Sequence, residues 1–213
     1  MKRIFIPILG IALLASCSDS PKGAESQTAT KQEAASATEG SNSFAVDTAT
    51  SHVGWEGFGV GHKHDGTFKI NNGSLSVTNG NITAGNFEIN IGSLDNSDIK
   101  DAKKKDLVGH LLSPDFFDAA KYPSSKFEVT KCEALQGDST ATHQISGNLT
   151  LKDSTTNVTF PAKVTVTDAE VTATATFKID RTKWGMSYGN DKSLKDKFIS
   201  PEVGISLDIH AKK

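Results

Sequence analysis

The sequence has little of what enzymes and disulfide-bonded secreted proteins depend on. Only two of its 213 residues are cysteines, Cys17 and Cys132, and they form neither a zinc motif nor a redox motif. The glycine motifs of dinucleotide and phosphate sites, the G-x-S-x-G nucleophile elbow and the His-Glu-x-x-His metal signature are all missing. These absences predict a protein that is not an enzyme and has no cofactor or metal ion.

Positive charge is scarce as well. The chain has 23 lysine and arginine residues against 25 aspartate and glutamate residues. Removing Lys2 and Arg3, which belong to the amino-terminal signal described below, leaves 21 basic residues and a net charge of −4. Domains that bind nucleic acid usually carry a basic patch, so we expect no nucleic-acid partner.

The longest apolar run, residues 4–14, directly follows two basic residues. It is too short to cross a bilayer by itself and has the pattern of a secretory signal. The small residues Ala15 and Ser16 precede Cys17, an ending that resembles the bacterial lipobox. The resemblance implies cleavage before Cys17, acylation of its sulfur, and a lipid-anchored location in the bacterial cell envelope, at the periplasmic face or the outer surface. We therefore predict a lipoprotein signal peptide with its lipobox cysteine at residues 1–17, and the alternative is an ordinary signal peptide with an incidental cysteine.

Residues 18–43 contain no aromatic residue, leucine, isoleucine or valine. Such a segment buries too little apolar surface to offset the entropy lost on ordering, so we predict a disordered tether. A flexible chain of this length has an r.m.s. span of about 25–30 Å. The remaining residues, 44–213, have the size of one domain with a sizeable core.

Residues 44–213 alternate between apolar and polar side chains in eight or more segments, the pattern of β-strands with one buried face. In residues 171–180, for example, apolar side chains alternate with threonine, lysine and aspartate. Asn79-Gly80 predicts a tight hairpin and Asn71-Asn72-Gly73 another turn. Pro161 predicts a bulge or a sheet edge, because proline lacks the N–H that a strand ladder needs.

Two architectures bury such strand faces, a sandwich of two sheets and a barrel closed on itself. A sandwich would leave edges rich in valine, threonine and isoleucine, whereas closure leaves no edge. Eight strands enclose a lumen just wide enough for one slender ligand. We therefore predict an all-β fold, a closed antiparallel barrel of about eight strands with a short helical insert.

The insert falls in residues 107–130, which break the strand pattern. Four apolar side chains between residues 107 and 112 recur at helical spacing. Ser113-Pro114 ends that helix and has the residues to begin a second one, since serine is a good N-cap and proline suits the first helical position. We predict a helix-turn-helix plug that covers one end of the barrel.

Stretches across the whole domain resemble the YceI-like family of periplasmic and secreted proteins. In chain order they are Ser51-His52-Val53-Gly54-Trp55, Gly66-Thr67-Phe68 with Gly73-Ser74-Leu75, His110-Leu111-Leu112-Ser113-Pro114-Asp115-Phe116-Phe117-Asp118 with Tyr122-Pro123 and Lys126-Phe127-Glu128, Ser146-Gly147-Asn148-Leu149-Thr150, and Ile179-Asp180-Arg181-Thr182-Lys183-Trp184-Gly185-Met186. The resemblance implies a lipocalin-like barrel that holds a polyisoprenoid or quinone-like chain.

A prenyl chain gains about 0.8 kcal/mol per buried methylene and offers no hydrogen bonds, so its site requires apolar side chains. The residues that we predict to contact such an extended amphiphile, for storage or transport, are Val53, Trp55, Phe68, Leu75, Phe87, Ile89, Ile91, Phe116, Phe117, Phe127, Val129, Leu149, Phe177 and Trp184. The alternative is that all of them fill the core and the protein is a non-catalytic interaction scaffold. The predicted partners are a lipid ligand and the membrane, and an oligomer is left open.

His62 and His64 lie two residues apart, and on a strand they share a face. A metal site would need His52 or His110 as a third ligand. Because the spacing alone is a weak signal, we predict that these histidines lie on the surface or at the barrel rim, and keep a histidine-based metal-binding protein as the less favoured alternative.

Three other polar features have structural interpretations. Neighbouring strand residues point to opposite faces, so Asp180 and Arg181 predict a corner in which Arg181 holds the following loop by hydrogen bonds, and not a catalytic pair. Cys132 is predicted to be a small core or rim residue, with a reactive thiol as the alternative. A solvated helix start, and not a calcium loop, is predicted for Asp95, Asp98, Asp101 and Asp106.

Overall fold

A computed structural model describes residues 21–137 and 140–213. The predicted signal peptide and Cys17 lie outside the described residues. Within them the chain forms β1 (Ala24–Glu25), β2 (Gln27–Thr30), β3 (Asn42–Val46), β4 (His52–Gly59), β5 (His62–Thr78), β6 (Asn81–Asn96), α1 (Asp101–Leu112), β7 (Ser124–Ala134), β8 (His143–Leu151), β9 (Ser154–Val166), β10 (Glu170–Asp180) and β11 (Ile199–Lys212), with 3-10 helices at Arg181–Trp184 and Lys192–Lys197.

The strands β4 to β11 form a closed barrel. Each pairs antiparallel with the next along the chain, and β11 pairs back onto β4. The short strand β3 lies beyond the start of β4, between the ends of β11 and β5, and bonds to both. The prediction of a closed antiparallel barrel of about eight strands with a short helical insert is confirmed.

The alternating pattern of the sequence separates the inside of this barrel from the outside. On β10, Val171, Phe177 and Ile179 are buried, while Thr174 and Thr176 between them are exposed. Successive strand side chains point to opposite faces, so each strand gives one apolar row to the interior. These rows form the hydrophobic core.

The predicted turns have different outcomes. Asn79 and Gly80 join β5 to β6 with φ angles of 51° and 76°, as a tight hairpin with two left-handed residues requires. The turn predicted at Asn71-Asn72-Gly73 is wrong, because β5 continues through it with a register shift between Ile70 and Asn72. The amides of Asn71 and Asn72 donate to the Glu88 carboxylate on β6 at 3.0 and 3.3 Å, so these asparagines hold a bulge.

Pro161 lies in β9 at a local edge, as predicted. It faces Gln144 of β8, but β9 pairs with β10 only over residues 163–166, and β2 pairs with β9 only over residues 156–159. The proline therefore lies between the two pairings, where no neighbour on that side requires its N–H.

The predicted first helix is present as α1, and the predicted second helix is wrong. Ser113 has an extended backbone and ends α1. The N–H groups of Phe116 and Asp118 both donate to the carbonyl of Ser113, at 3.1 and 2.9 Å. These bonds fold the chain into tight turns, which bring the two phenylalanines that follow Pro114 back toward the barrel.

The predicted disordered tether is corrected for residues 21–43; residues 18–20 lie outside the described residues. The segment contains β1, which pairs with β10, and β2, which pairs with β9. Its last residues begin β3. Composition failed to predict this order because the segment is held by main-chain hydrogen bonds to strands already in place, and not by apolar side chains of its own.

Candidate functional site: an apolar cavity in the barrel

The barrel is hollow. It encloses a cavity of about 350 Å³, lined almost entirely by apolar side chains from the barrel strands, α1 and the turns after α1. That volume falls at the lower end of the range for small-molecule sites. The interior is therefore not the filled core of the alternative interpretation.

Nearly all of the residues predicted for ligand contact, on strands and in the turns after α1, come together around this cavity. Thirteen of the fourteen line it: Val53, Trp55, Phe68, Leu75, Phe87, Ile89, Ile91, Phe116, Phe117, Phe127, Val129, Leu149 and Phe177. Their position is shown, and their contact with a ligand stays a prediction.

Trp184 is the exception. It is fully buried, with 1% of its surface exposed, yet it does not line the cavity. Its indole N–H donates to the Leu149 carbonyl at 2.9 Å, so it fastens the 3-10 helix Arg181–Trp184 to the barrel wall. Strand alternation cannot place this side chain, because β10 ends at Asp180.

Much of the deep wall was not among the predicted site residues. Phe160 and Phe177 stack face to face with their centroids 4.0 Å apart and an interplanar angle of 5°. Further side chains of the same inward rows line the cavity: Ile145, Leu151, Val158, Ala162, Ala173, Ala175, Ile179, Ile205, Leu207 and Ile209. Extending the alternation of each strand to its full length would have identified them.

The wall also needs a glycine. Gly147 of β8 lies beneath the ring of Phe127, and a Cβ at that position would be 2.1 Å from the phenyl Cζ. Since real Cβ atoms do not approach so closely, the missing side chain lets Phe127 lie flat against the wall and face the cavity.

The helix and the turns after it cover one end of the cavity. Phe117 packs edge to face against Phe68 of the barrel, with centroids 5.4 Å apart. Phe116 is buried, and its ring lies 5.1 Å from that of His110 and 5.5 Å from that of Tyr188. We call residues 101–122 the plug, and the end they cover the mouth.

Arg181 fixes the loop beside the plug. Its Nε donates to the Ser200 carbonyl at 3.0 Å and its Nη2 to the carbonyls of Tyr188 and Ile199 at 2.8 and 3.0 Å. Its Nη1 donates to the carbonyl of Met186. Burial lowers the pKa of this guanidinium. The predicted corner, in which Arg181 holds the following loop, is confirmed.

A histidine and an aspartate form a polar contact at the mouth. His64 Nδ1 lies 2.8 Å from a carboxylate oxygen of Asp98, and the Asp65 N–H donates to the other oxygen at 3.0 Å. Burial raises the pKa of Asp98, but the hydrogen bonds from His64, Asp65 and Asn96 outweigh it and lower the pKa to about 2. The ring of His62 lies 5.4 Å from that of His64.

The two reactive interpretations have no structural counterpart. Within residues 21–137 and 140–213, no group of three histidine, cysteine, aspartate or glutamate side chains is arranged to hold a metal ion. Burial raises the pKa of the half-buried Cys132 to about 11, so at neutral pH it is a thiol and not the nucleophilic thiolate. Cys132 lines the cavity as a small apolar residue.

A closed antiparallel barrel around an apolar cavity, with a plug over one end, defines a hollow barrel of the lipocalin-like class. The chain belongs to the YceI-like domain family, whose model matches residues 44–211. The described part of the chain has no helix long and apolar enough to cross a bilayer.

Solved structures share this fold. BcnA from Burkholderia cenocepacia is 22% identical, with a TM-score of 0.62, and the match covers 78% of this chain and 99% of BcnA. A polyisoprenoid binding domain from Saccharophagus degradans, implicated in plant cell wall breakdown, is 14% identical with a TM-score of 0.56, over 79% of this chain and 97% of that domain. No curated protein matches the chain.

Proposed function

We propose that this protein is a non-enzymatic, lipid-anchored protein of the bacterial cell envelope that stores or transports an extended isoprenoid, a polyprenyl or isoprenoid-quinone chain, in its barrel. The observation that carries the proposal is the hollow, apolar lumen. Membership of the YceI-like family supports it, as does the fold shared with a domain described as polyisoprenoid binding.

The chemistry of the cavity wall favours a hydrocarbon over a polar ligand. Ser125, one of the few polar residues in the lining, already donates its hydroxyl to the Thr150 carbonyl at 2.7 Å, and the donors of Arg181 lie on loop carbonyls. A ligand inside the cavity can therefore gain from dispersion contacts and from burial of its apolar surface, but it meets few free hydrogen-bond groups. An extended prenyl tail needs no hydrogen bonds and suits such a cavity.

The head group of such a ligand belongs at the mouth, where the lining becomes polar. His62, His64 and His110 line the cavity there, and imidazoles can donate to or accept from a quinone, hydroxyl or phosphate oxygen. Arg181 also lines the cavity, but it is a poorer candidate for head-group contact, because the loop carbonyls already occupy its guanidinium. We assign head-group contact to the histidines.

Lipidation at Cys17 would keep the barrel close to the membrane. Only three residues separate Cys17 from Pro21, which is buried against the barrel. Four Cα–Cα steps span at most about 14 Å, less than the span of the freely disordered tether that composition predicts.

Acylation is tested by feeding an alkyne fatty acid to a bacterial host that expresses the chain or its Cys17→Ser variant, and then labelling the alkyne. The proposal requires label on the unaltered chain only.

Ligand binding is tested with the chain from residue 18 to residue 213 and dansyl-farnesol, a fluorescent isoprenoid. We expect saturable binding at one site per chain. Ala162→Trp and Ala173→Trp place a bulky ring in the cavity and should each weaken binding at least about tenfold, whereas Ala45→Trp, on an exposed position of β3, should not. Thermal unfolding checks that the variants fold.

Two results would contradict the proposal. Failure of any isoprenoid probe to bind the folded chain would leave the cavity without a ligand of this class. Equal binding by both cavity-filling variants and the Ala45 control would place the probe elsewhere, on the surface of the barrel.

A further inference from the structure

The barrel wall is split between β9 and β10. These strands pair with each other over only four residues each, from Val171↔Val166 to Thr174↔Lys163. Beyond that point β9 continues back to Ser154 and β10 forward to Asp180, toward the mouth, without bonding to each other. A gap in the wall is therefore present beside the cavity.

The amino-terminal segment fills this split. Ala24 and Glu25 pair parallel with Phe177 and Lys178 of β10. Residues 27–30 pair antiparallel with residues 159–156 of β9. Ser26, between them, donates its hydroxyl to the Lys178 carbonyl. One extended stretch thus bonds to both edges, and we call residues 23–32 the strap.

The start of the strap requires a glycine. Gly23 has a φ of +117°, and a Cβ there would lie 2.8 Å from main-chain atoms of Thr176 and Phe177. The chain thus passes so close to the backbone of β10 that another residue type would both strain and collide.

The end of the strap is held by a buried amide on the outside of the barrel. Asn148 of β8 is 0% exposed. Its carboxamide accepts from the Gln32 N–H at 3.0 Å and donates to the Gln32 carbonyl at 2.8 Å, like one rung of a β-ladder. Asn157 donates to the same Asn148 oxygen at 3.1 Å. This outward pair is polar and buried because the strap covers it.

The strap is held in a way that permits release. It carries no large apolar side chain, so it contributes hydrogen bonds worth about 0.5–1.5 kcal/mol each and little hydrophobic burial. Segments with few apolar contacts open at lower free energy than the core to which they attach. The strands that the strap joins are much more firmly held by their inward rows.

The cavity lies directly behind the strap. Phe160 of β9 and Phe177 of β10 flank the split, stack on each other and line the cavity. Displacement of the strap would expose the unpaired edges of β9 and β10, directly outside these rings and the side chains of Val158 and Ile179 that line the cavity beside them.

We propose that the β9–β10 split is a docking site for the chain's own residues 23–32, and that their release opens a side entrance through which the tail of a ligand leaves the cavity. The inference rests on the proposed function, since it needs a ligand in the lumen. The match to the family model begins at residue 44. The strap therefore lies outside the part of the chain that matches the family.

A reversible disulfide tests the strap directly. Gln27 and Thr159 face each other in register on β2 and β9, so Gln27→Cys with Thr159→Cys in the chain of residues 18–213 can lock the strap to the wall. Dansyl-farnesol is loaded, and its release into phosphatidylcholine vesicles is followed in the oxidised and the reduced protein. We expect the lock to slow release at least about tenfold and reduction to restore the rate.

Each outcome of that experiment has a distinct meaning. Equal release rates with the disulfide formed would overturn the side entrance while leaving ligand binding intact. Absence of probe binding in both redox states would contradict the proposed function itself. A disulfide that links two chains into a dimer would show that the split accepts the strap of a second copy, and would overturn the assignment to the chain's own segment.

A variant with the opposite effect keeps the test independent of the cysteines. Gly23→Val should displace the strap and speed release about fivefold. Gly40→Val is the matched control, because Gly40 also has a positive φ of +76° but has no atom within 4 Å of its Cβ position. An unchanged release rate in Gly23→Val, with the strap amides shown by hydrogen exchange to be freed, would contradict the inference.

Discussion

The lumen wall and the strap are both β-structure, but different interactions hold them. Every wall strand pairs with both of its neighbours, although β9 and β10 do so over only four residues each. The wall also has apolar rows in which residues such as Phe160 and Val158 are 2% and 1% exposed. The strap has main-chain bonds and the amide of Asn148, and its only apolar side chains are those of two alanines. The comparison teaches that secondary structure alone does not indicate how firmly a segment is held. Four measurements test this difference.

The largest effect is expected in the wall. Phe160→Ala removes a buried ring that stacks on Phe177, and such truncations cost about 3–5 kcal/mol in the free energy of unfolding, measured by urea denaturation. Val60→Ala, at a residue that is 54% exposed, serves as the control and should change it by less than about 0.5 kcal/mol. A loss below about 1 kcal/mol in Phe160→Ala would mean that the wall does not depend on its apolar rows.

A smaller and more local effect is expected where the strap ends. Asn148→Ala removes both bonds to the Gln32 main chain and leaves Asn157 with one partner fewer, which should cost about 1–3 kcal/mol. Hydrogen exchange should accelerate at the Gln32 amide and in β2, and not in the middle of β8. Asn86→Ala, at an exposed amide that donates to Ser74 at 3.0 Å, should leave the strap protected. If Asn148→Ala accelerated amide exchange equally throughout the barrel, the strap would not open separately from the wall.

The third effect is on stability at low pH. The apolar side chains of the lumen carry no titratable group, so the dependence on pH must come from polar groups such as Asp98. The folded pKa of Asp98 is lowered to about 2, so its contribution to stability is present above its ordinary pKa of 3.8 and is lost as the pH falls toward 2. Asp98→Asn should therefore reduce the dependence of unfolding free energy on pH between about 4 and 2. An unchanged acid limb in urea titrations would exclude this carboxylate as a source of acid sensitivity.

The smallest effect is expected from the ion pair on the strap. Lys178 Nζ lies 2.8 Å from the Glu25 carboxylate, whose side chain is 73% exposed. The Lys178 side chain is 16% exposed, but water reaches the Glu25 carboxylate freely, so the pair contributes about 0–1 kcal/mol. Lys178→Met keeps the apolar part of the side chain and should barely change stability or probe release. Lys163→Met, at an exposed lysine of β9, is the control. A loss of strap protection as large as that of Asn148→Ala would show that charge, and not the main chain, holds the strap.

The barrel and most of the cavity wall could be predicted from the sequence because both follow from alternation. Phe87, Ile89 and Ile91 share one face of β6 whatever the rest of the chain does, and a closed sheet turns such faces inward. The position of Trp184 could not be derived in this way. It follows the end of β10 in a 3-10 helix, where a period of two no longer applies.

The strap could not be predicted because its partners are created by the fold. Its glutamine, serine and threonine residues have the composition of a disordered segment. The strap bonds to main-chain groups that are free only because the pairing of β9 with β10 ends at Lys163 and Thr174. The second helix was mispredicted for a related reason: the sequence of Ser113-Pro114 permits a helix start, but packing of the following aromatic rings against the barrel selects tight turns.

Native mass spectrometry of the chain from residue 18 to residue 213 shows whether the hollow lumen holds one apolar chain. After incubation with geranylgeraniol, we expect a one-to-one complex that is lost in both Ala162→Trp and Ala173→Trp and kept in Ala45→Trp. A folded protein that never acquires the mass of the lipid, or one that keeps it with the cavity filled, would contradict the account.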